Sequence, residues 1–205
     1  MPGTPFLLYN GEIWPSGLPM NFGNVSAIVD LILLERRQFS ECPAMTLDTS
    51  KQYVATLFTE RGEIVIELYA DKAPIAVNNF IFLAKNGWYD NVTFHRVISD
   101  FVAQAGDPSG TGFGGPGYAF INENSPDLIF DKPGLLGMAN SGRDSNGSQF
   151  FITLAPAPQL DGGFTIFGQV IQGLEVAKSL RPRDPSQGLD LPPGDKILKV
   201  EIVEK

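Results

Sequence analysis

The chain has 205 residues, 43% of them hydrophobic, which is enough to bury one core and sets a single main domain as the expectation. Its formal charge of −8 argues against a basic face for nucleic-acid phosphates or anionic lipid. One cysteine, Cys42, and one histidine, His95, exclude an internal disulfide and a Cys/His zinc site; no D-x-[DN]-x-[DN]-G loop occurs, which leaves only a purely carboxylate metal site open.

The amino-terminal MPGTPFLLYNGEIWPSG has neither the positive n-region nor the long apolar core of a secretory leader, so a cytoplasmic address is expected. Val25 to Leu34, VSAIVDLILL, is interrupted by Asp30, runs into Glu35, Arg36 and Arg37, and is too short to span a bilayer. It reads as a short amphipathic helix, with partner docking or membrane-surface binding as the alternative. Residues 1–48 are otherwise rich in Pro, Gly and Asn without strand alternation, and read as an N-terminal extension of unknown role. Residues 49–205 read as the folded domain.

With 22 Gly, 16 Pro and 15 Phe, that domain should be β-rich, with many turns between short strands. Tyr53 to Thr59 and Ile64 to Leu68, separated by Glu60-Arg61-Gly62-Glu63, predict a hairpin. In APIAVNNFIFLAKNG, Pro74 opens and Gly87 closes a predicted helix whose apolar face carries Val77, Phe80 and Ala84. Strands are predicted over Val92 to Val97, Phe101 to Ala105, Leu135 to Ala139, Gln149 to Leu154 and Thr165 to Val170, then a helix over Leu174 to Leu180 stopped by Pro182 and Pro185. The closing ILKVEIV alternates Leu198, Val200 and Ile202 against Lys199 and Glu201, as a strand with one buried face does.

Three constellations could carry chemistry. A catalytic His95 lacks a partner nucleophile: there is no G-x-S-x-G elbow, Cys42 lies in the extension, and a hydrolase is not supported, so a structural, hydrogen-bonded histidine is expected. On a continuous strand, His95 would side with Thr93 and Val97, and Arg96 with Phe94. The glycine-rich GDPSGTGFGGPG lacks a Gly-Lys-Ser/Thr ending and reads as an ordered surface loop rather than a phosphate loop. Strand parity puts Val102 with Gln104 and Gln149 with Phe151, so two amides, an apolar pair and Arg96 could line one concave surface. Such a surface would bind and polarise without moving protons.

FHRVISDFVAQAGDPSGTGFGG, followed by GLLGMANSGRDSNGSQFFITLAPAPQLDGGFTIFGQV, resembles a cyclophilin-type peptidyl-prolyl cis-trans isomerase, with similarity from Tyr53 to Val203. The resemblance implies a mostly β fold, a closed eight-stranded antiparallel β-barrel capped by two α-helices near Pro74 to Asn86 and Leu174 to Leu180. It implies a catalytic set of Arg96, Phe101, Gln104, Asn140, Phe151 and Leu160. Substrate-binding residues would be Val102, Gly110, Ala139, Gln149, Gln159 and Phe164. No cofactor or metal is implied. The partners would be proline-containing polypeptide segments met by a monomer that assists protein folding, with neither nucleic acid nor stable membrane insertion. A proline-segment binding module of the same fold, contacting its partner through residues 1–48, is the alternative.

Three positions depart from the family pattern: Gln159 stands where Trp is common, Phe164 where His is common, and Val102 at the pocket Met. Loss of the indole N–H removes a donor that the family uses to hold cyclosporin. Sequence preference around the proline is open to change at Phe164, which keeps an apolar wall without a polar tip.

Overall fold

The computed structural model describes residues 8–9, 12–13, 22–187 and 191–205, with side chains from residue 29 onward. Strands β1 (Leu8–Tyr9) and β2 (Glu12–Ile13) pair antiparallel, a short ladder where no strand is expected, and α1 spans Phe22–Glu35 around the predicted apolar run. The remaining elements are β3 (Tyr53–Thr59), β4 (Gly62–Leu68), α2 (Pro74–Lys85), β5 (Val92–Thr93), β6 (Arg96–Ile98) and β7 (Val102–Ala105), then β8 (Leu135–Met138), β9 (Phe150–Thr153), β10 (Ile166–Gln172), α3 (Leu174–Lys178) and β11 (Lys196–Glu204). No helix among the described residues is long and apolar enough to cross a membrane.

The β3–β4 hairpin shows why alternation works as a signal. Tyr53, Ala55 and Leu57 face inward on β3, and Ile64, Ile66 and Leu68 on β4, so both strands bury the same face. Thr59 pairs with Gly62 across a two-residue loop, and the Thr59 hydroxyl donates to the Gly62 carbonyl at 2.7 Å. Helix α2 buries Val77, Phe80, Leu83 and Ala84 and packs on β11. Its first-turn N–H groups on Ile75 and Ala76 donate to the Glu123 carboxylate at 3.0 and 2.8 Å, a remote cap in place of a local one.

Strands β3 to β11 form one antiparallel sheet in the order β5-β11-β3-β4-β10-β8-β9-β7-β6. The expected closed eight-stranded barrel is corrected to an open nine-stranded sheet curled into a half-barrel, with β5 and β6 as its edge strands. The physical reason is a break at Phe94 and His95, which splits the predicted Val92 to Val97 strand. The Phe94 N–H leaves the ladder for the Asp195 carbonyl at 2.9 Å, while Val97 exchanges backbone bonds with Arg183. The predicted pairing of faces fails with it: Phe94 belongs to the main core, whereas Arg96 is half-buried. A second correction concerns β11. Ile197 pairs with Thr59 and Lys199 with Phe58, so Leu198 is the extra residue of a bulge; it is exposed, and Ile197 is buried in its place.

The segment after α1 lies against the domain. Leu34 is 3% exposed and belongs to the main core cluster, with Leu31, Phe39 and Leu47 packed on it. The Arg37 guanidinium donates to the carbonyls of Gly87 and Trp88 at 3.2 and 3.1 Å and sits 5.5 Å above the Trp88 ring. Thr46 and Ala44 are tied to the amide of Asn78 on α2.

Candidate functional site

Strands β6, β7 and β9 form the wall on which the site is built. Arg96 pairs with Gln104, and Gln104 pairs with Phe151, so three of the expected residues stand side by side across three strands. The Arg96 guanidinium donates to Gln104 Oε1 at 3.5 Å and lies 5.6 Å from the centroid of the Phe101 ring. Its backbone is clamped on both sides: the Arg183 N–H and carbonyl bond to Val97 at 2.9 and 2.7 Å, and the Arg183 guanidinium donates to the His95 carbonyl.

Beneath Arg96 is a second apolar cluster, separate from the main core. Val102, Phe130 and Phe151 are buried in it, with Phe101, Ala139, Leu160 and Phe164 packed against them. Phe151 is held edge-on to Phe164 at 5.6 Å and tilted against Phe130 at 5.5 Å. Gly137 faces Phe151 across β8 and β9, and a Cβ there would lie 2.4 Å from the end of the Phe151 ring. Gly137→Ala therefore should displace the ring and cost about 1–3 kcal/mol as overpacking. A thermal midpoint equal to that of the wild type would show that the ring has room to spare.

Beside this floor opens a cleft of about 420 Å³ lined by Gln104, Gln149, Ala139, Asn140 and the loop from Gly112 to Pro116. The glutamine amides of the cleft are tied to one another and to the loop. Gln104 Nε2 donates to Gln149 Oε1 at 2.9 Å, and Gln149 Nε2 donates to the carbonyls of Gly112 and Gly114 at 3.0 and 2.8 Å. Asn140 lines both this cleft and a second one, which includes Asn122, Asn124 and Phe164; its Nδ2 donates to the Gly163 carbonyl at 3.1 Å.

The glycine-rich loop owes its shape to a residue the sequence reading passed over. Buried Asp107 accepts from the N–H groups of Ser109, Gly112 and Gly114 at 2.8, 2.7 and 3.0 Å and from the Ser109 and Thr111 hydroxyls. These turned-in amides form a nest that the chain fills with its own carboxylate. The available signal was local: an Asp followed by Ser and Thr at the second and fourth positions is an Asx-turn pattern.

Two expected site residues stand apart. Gly110 has φ of +67° and packs near Thr93, outside the lining of the cleft that Gly112 to Pro116 form. Gln159 is exposed on the short 3-10 turn Pro158–Leu160, away from the apolar cluster that Leu160 joins. Phe113, which the sequence reading did not single out, lines the cleft while 84% exposed.

His95 is 2% exposed, and among the described residues neither ring nitrogen meets a partner at hydrogen-bond geometry, although the Gln149 amide lies close enough to act on its protonation, so the expected well-formed hydrogen bond is corrected to a looser contact. Burial is the main force on its pKa, which is pushed down to about 4; Asp107 acts upward, and Arg183 and Arg96 act downward. The ring is thus neutral at pH 7.

The sequence model of the cyclophilin type peptidyl-prolyl cis-trans isomerase/CLD family matches residues 54–202. Peptidyl-prolyl cis-trans isomerase-like 1 of the fungus Rhizopus delemar is 52% identical over 134 residues, covering 64% of this chain and 81% of its own. The mouse protein of the same name is 47% identical over 160 residues, covering 76% and 96%. A cyclophilin type isomerase from Cryptosporidium parvum, crystallised in the presence of the dipeptide Ala-Pro, superposes with a TM-score of 0.67 at 35% identity, covering 74% of this chain and 99% of that one.

Proposed function

The chain belongs to the cyclophilin-type peptidyl-prolyl cis-trans isomerases, and on that premise we propose how its own residues turn an X-Pro bond. The family's activity needs no cofactor. The uncatalysed rotation has a barrier of about 18–20 kcal/mol because the amide must lose its resonance. In the twisted state the prolyl nitrogen becomes pyramidal and basic. Arg96 is the donor aimed at that nitrogen, since its guanidinium stays charged and presents a fixed fork of N–H groups. Phe101, Val102, Phe151, Leu160 and Phe164 seat the proline ring. Gln104 and the backbone of Asn140 hold the flanking peptide groups, with Ala139 and Gln149 shaping the cleft beside them. Catalysis is then differential binding of the twisted amide, with no covalent intermediate.

The observation that carries this reading is the juxtaposition of one cation, Arg96, with an apolar floor and an ordered pair of amides. Proline-limited refolding of a test protein, with and without the enzyme, is the direct assay. Acceleration distinguishes an isomerase from a module that only holds proline-containing segments.

The isomerase unit is taken as residues 49–205, with 1–48 as its extension. We place the enzyme in the cytoplasm as a monomer acting on exposed proline-containing segments of folding proteins. The acidic balance and the lone cysteine support that setting. Because Gln159 is exposed and carries no indole N–H, cyclosporin should inhibit weakly. Inhibition in a titration at drug concentrations close to that of the enzyme would count against this.

A further inference from the structure

Residues 34–39 lie outside the family match, which begins at residue 54, yet they touch the loop that walls the cleft. The Phe39 N–H donates to the Pro116 carbonyl at 2.8 Å, and Gln38 Nε2 donates to the Gly115 carbonyl at 2.9 Å. The approach is close enough to require glycine on the loop side. A Cβ at Gly117 would lie 2.5 Å from the Phe39 backbone carbonyl oxygen, with Gly117 itself at φ of +94°, while one at Gly114 would meet Asp107 Oδ1 at 2.1 Å and Leu34 Cδ2 at 2.4 Å.

The segment is itself anchored at its outer side. The Phe39 ring meets Phe82 of α2 edge-on at 4.9 Å, Arg37 grips the carbonyls of Gly87 and Trp88, and Trp88 Nε1 donates to the Gly106 carbonyl at the root of the loop. The loop is therefore fixed from inside by Asp107 and from outside by the extension.

What the loop does with that support is set by its carbonyls. Gly112 and Gly114 orient the Gln149 amide, Gln149 orients Gln104, and Gln104 accepts from Arg96. A continuous series of contacts thus runs from Phe39 to the guanidinium proposed to act on the prolyl nitrogen. We propose that residues 34–39 of the extension are a positioning element of the isomerase site, holding the 112–117 loop so that Gln149 and Gln104 present Arg96 to the substrate. The inference rests on the isomerase reading for its catalytic consequence.

The test uses the full chain. Gln38→Ala combined with Phe39→Ala removes one hydrogen bond and the aromatic anchor while leaving Asp107, Arg96 and both glutamines in place. Misplacement of a catalytic group by a fraction of an ångström costs rate steeply, so kcat on an X-Pro peptide should fall about tenfold in a protein still folded by circular dichroism. The side-chain amide signals of Gln104 and Gln149 in the NMR spectrum should shift with it. Phe39→Tyr, which keeps the ring, should restore both when Gln38 is intact. A folded double variant with wild-type kcat and unmoved Gln149 signals overturns the proposal. If the wild-type protein itself fails to turn over X-Pro peptides, the isomerase reading falls alone, and the amide signals still decide whether the extension positions Gln149.

Discussion

Arg96→Ala should lower kcat/KM for an X-Pro peptide by about two to three orders of magnitude, the usual loss when one preorganised donor is removed from a reacting centre. In barrier terms that is about 2.7–4.1 kcal/mol. The size of the effect follows from what holds the side chain before substrate arrives. Gln104 and the Phe101 ring flank the guanidinium, and Arg183 holds the backbone at His95 and Val97, so the side chain starts near its working position. Arg96→Lys keeps a charge but loses the planar fork, and should recover only part of the rate. Folding should be nearly indifferent to either change, because Arg96 is half-buried and its side chain donates a long bond of 3.5 Å to a neutral amide. The measurement is a protease-coupled or NMR exchange assay beside a thermal melt. A folded Arg96→Ala enzyme with near-normal turnover would remove the assignment.

The parts of this site that could be read in advance are those set by periodicity. Runs of β-branched and aromatic residues located β3, β4 and β9, and parity grouped Val102 with Gln104 and Gln149 with Phe151, on strands that lie side by side in the sheet. Parity fails where the ladder is interrupted for a reason far away in sequence. Asp195, a hundred residues on, draws the Phe94 N–H out of the strand, and the bulge at Leu198 reverses the phase of β11. The glycine-rich loop shows the same limit. Its glycines announce unusual backbone, but the ligand of its amides is Asp107, and its outer support is a segment 77 residues earlier that carries no strand pattern. The extension reads as separate because its composition changes near residue 48, whereas Leu34 shares the core with β3 and α2. Texture along a chain reports local preference, and packing across it does not have to follow.

Acid should destabilise the fold through His95 before it touches most carboxylates. The unfolded imidazole takes a proton near pH 6.5, whereas the folded one refuses it until about pH 4. Between those values the unfolded state binds more protons, so stability falls as pH drops from about 6.5 to about 4 and levels off below. A shift of that width corresponds to about 3 kcal/mol, a large part of the stability of a typical domain. Other groups act differently. Asp195 is pushed up by burial but held below its ordinary value by Arg61 and the Arg181 N–H, so its contribution is lost only under more acid conditions. Glu123, raised by burial against the bonds from Ile75 and Ala76, opposes the trend by favouring the folded state as it protonates. The difference between wild type and His95→Phe isolates the histidine, since the substitution keeps a planar ring and abolishes the titration. Urea midpoints at pH 7, 5.5 and 4 should decline more steeply for the wild type than for the variant. Because the chain has a single histidine, its imidazole signals are also unambiguous in an NMR titration. A midpoint near 6.5 in the folded protein, or parallel declines in the two proteins, would show that the buried ring finds a partner that its neutral form does not reveal.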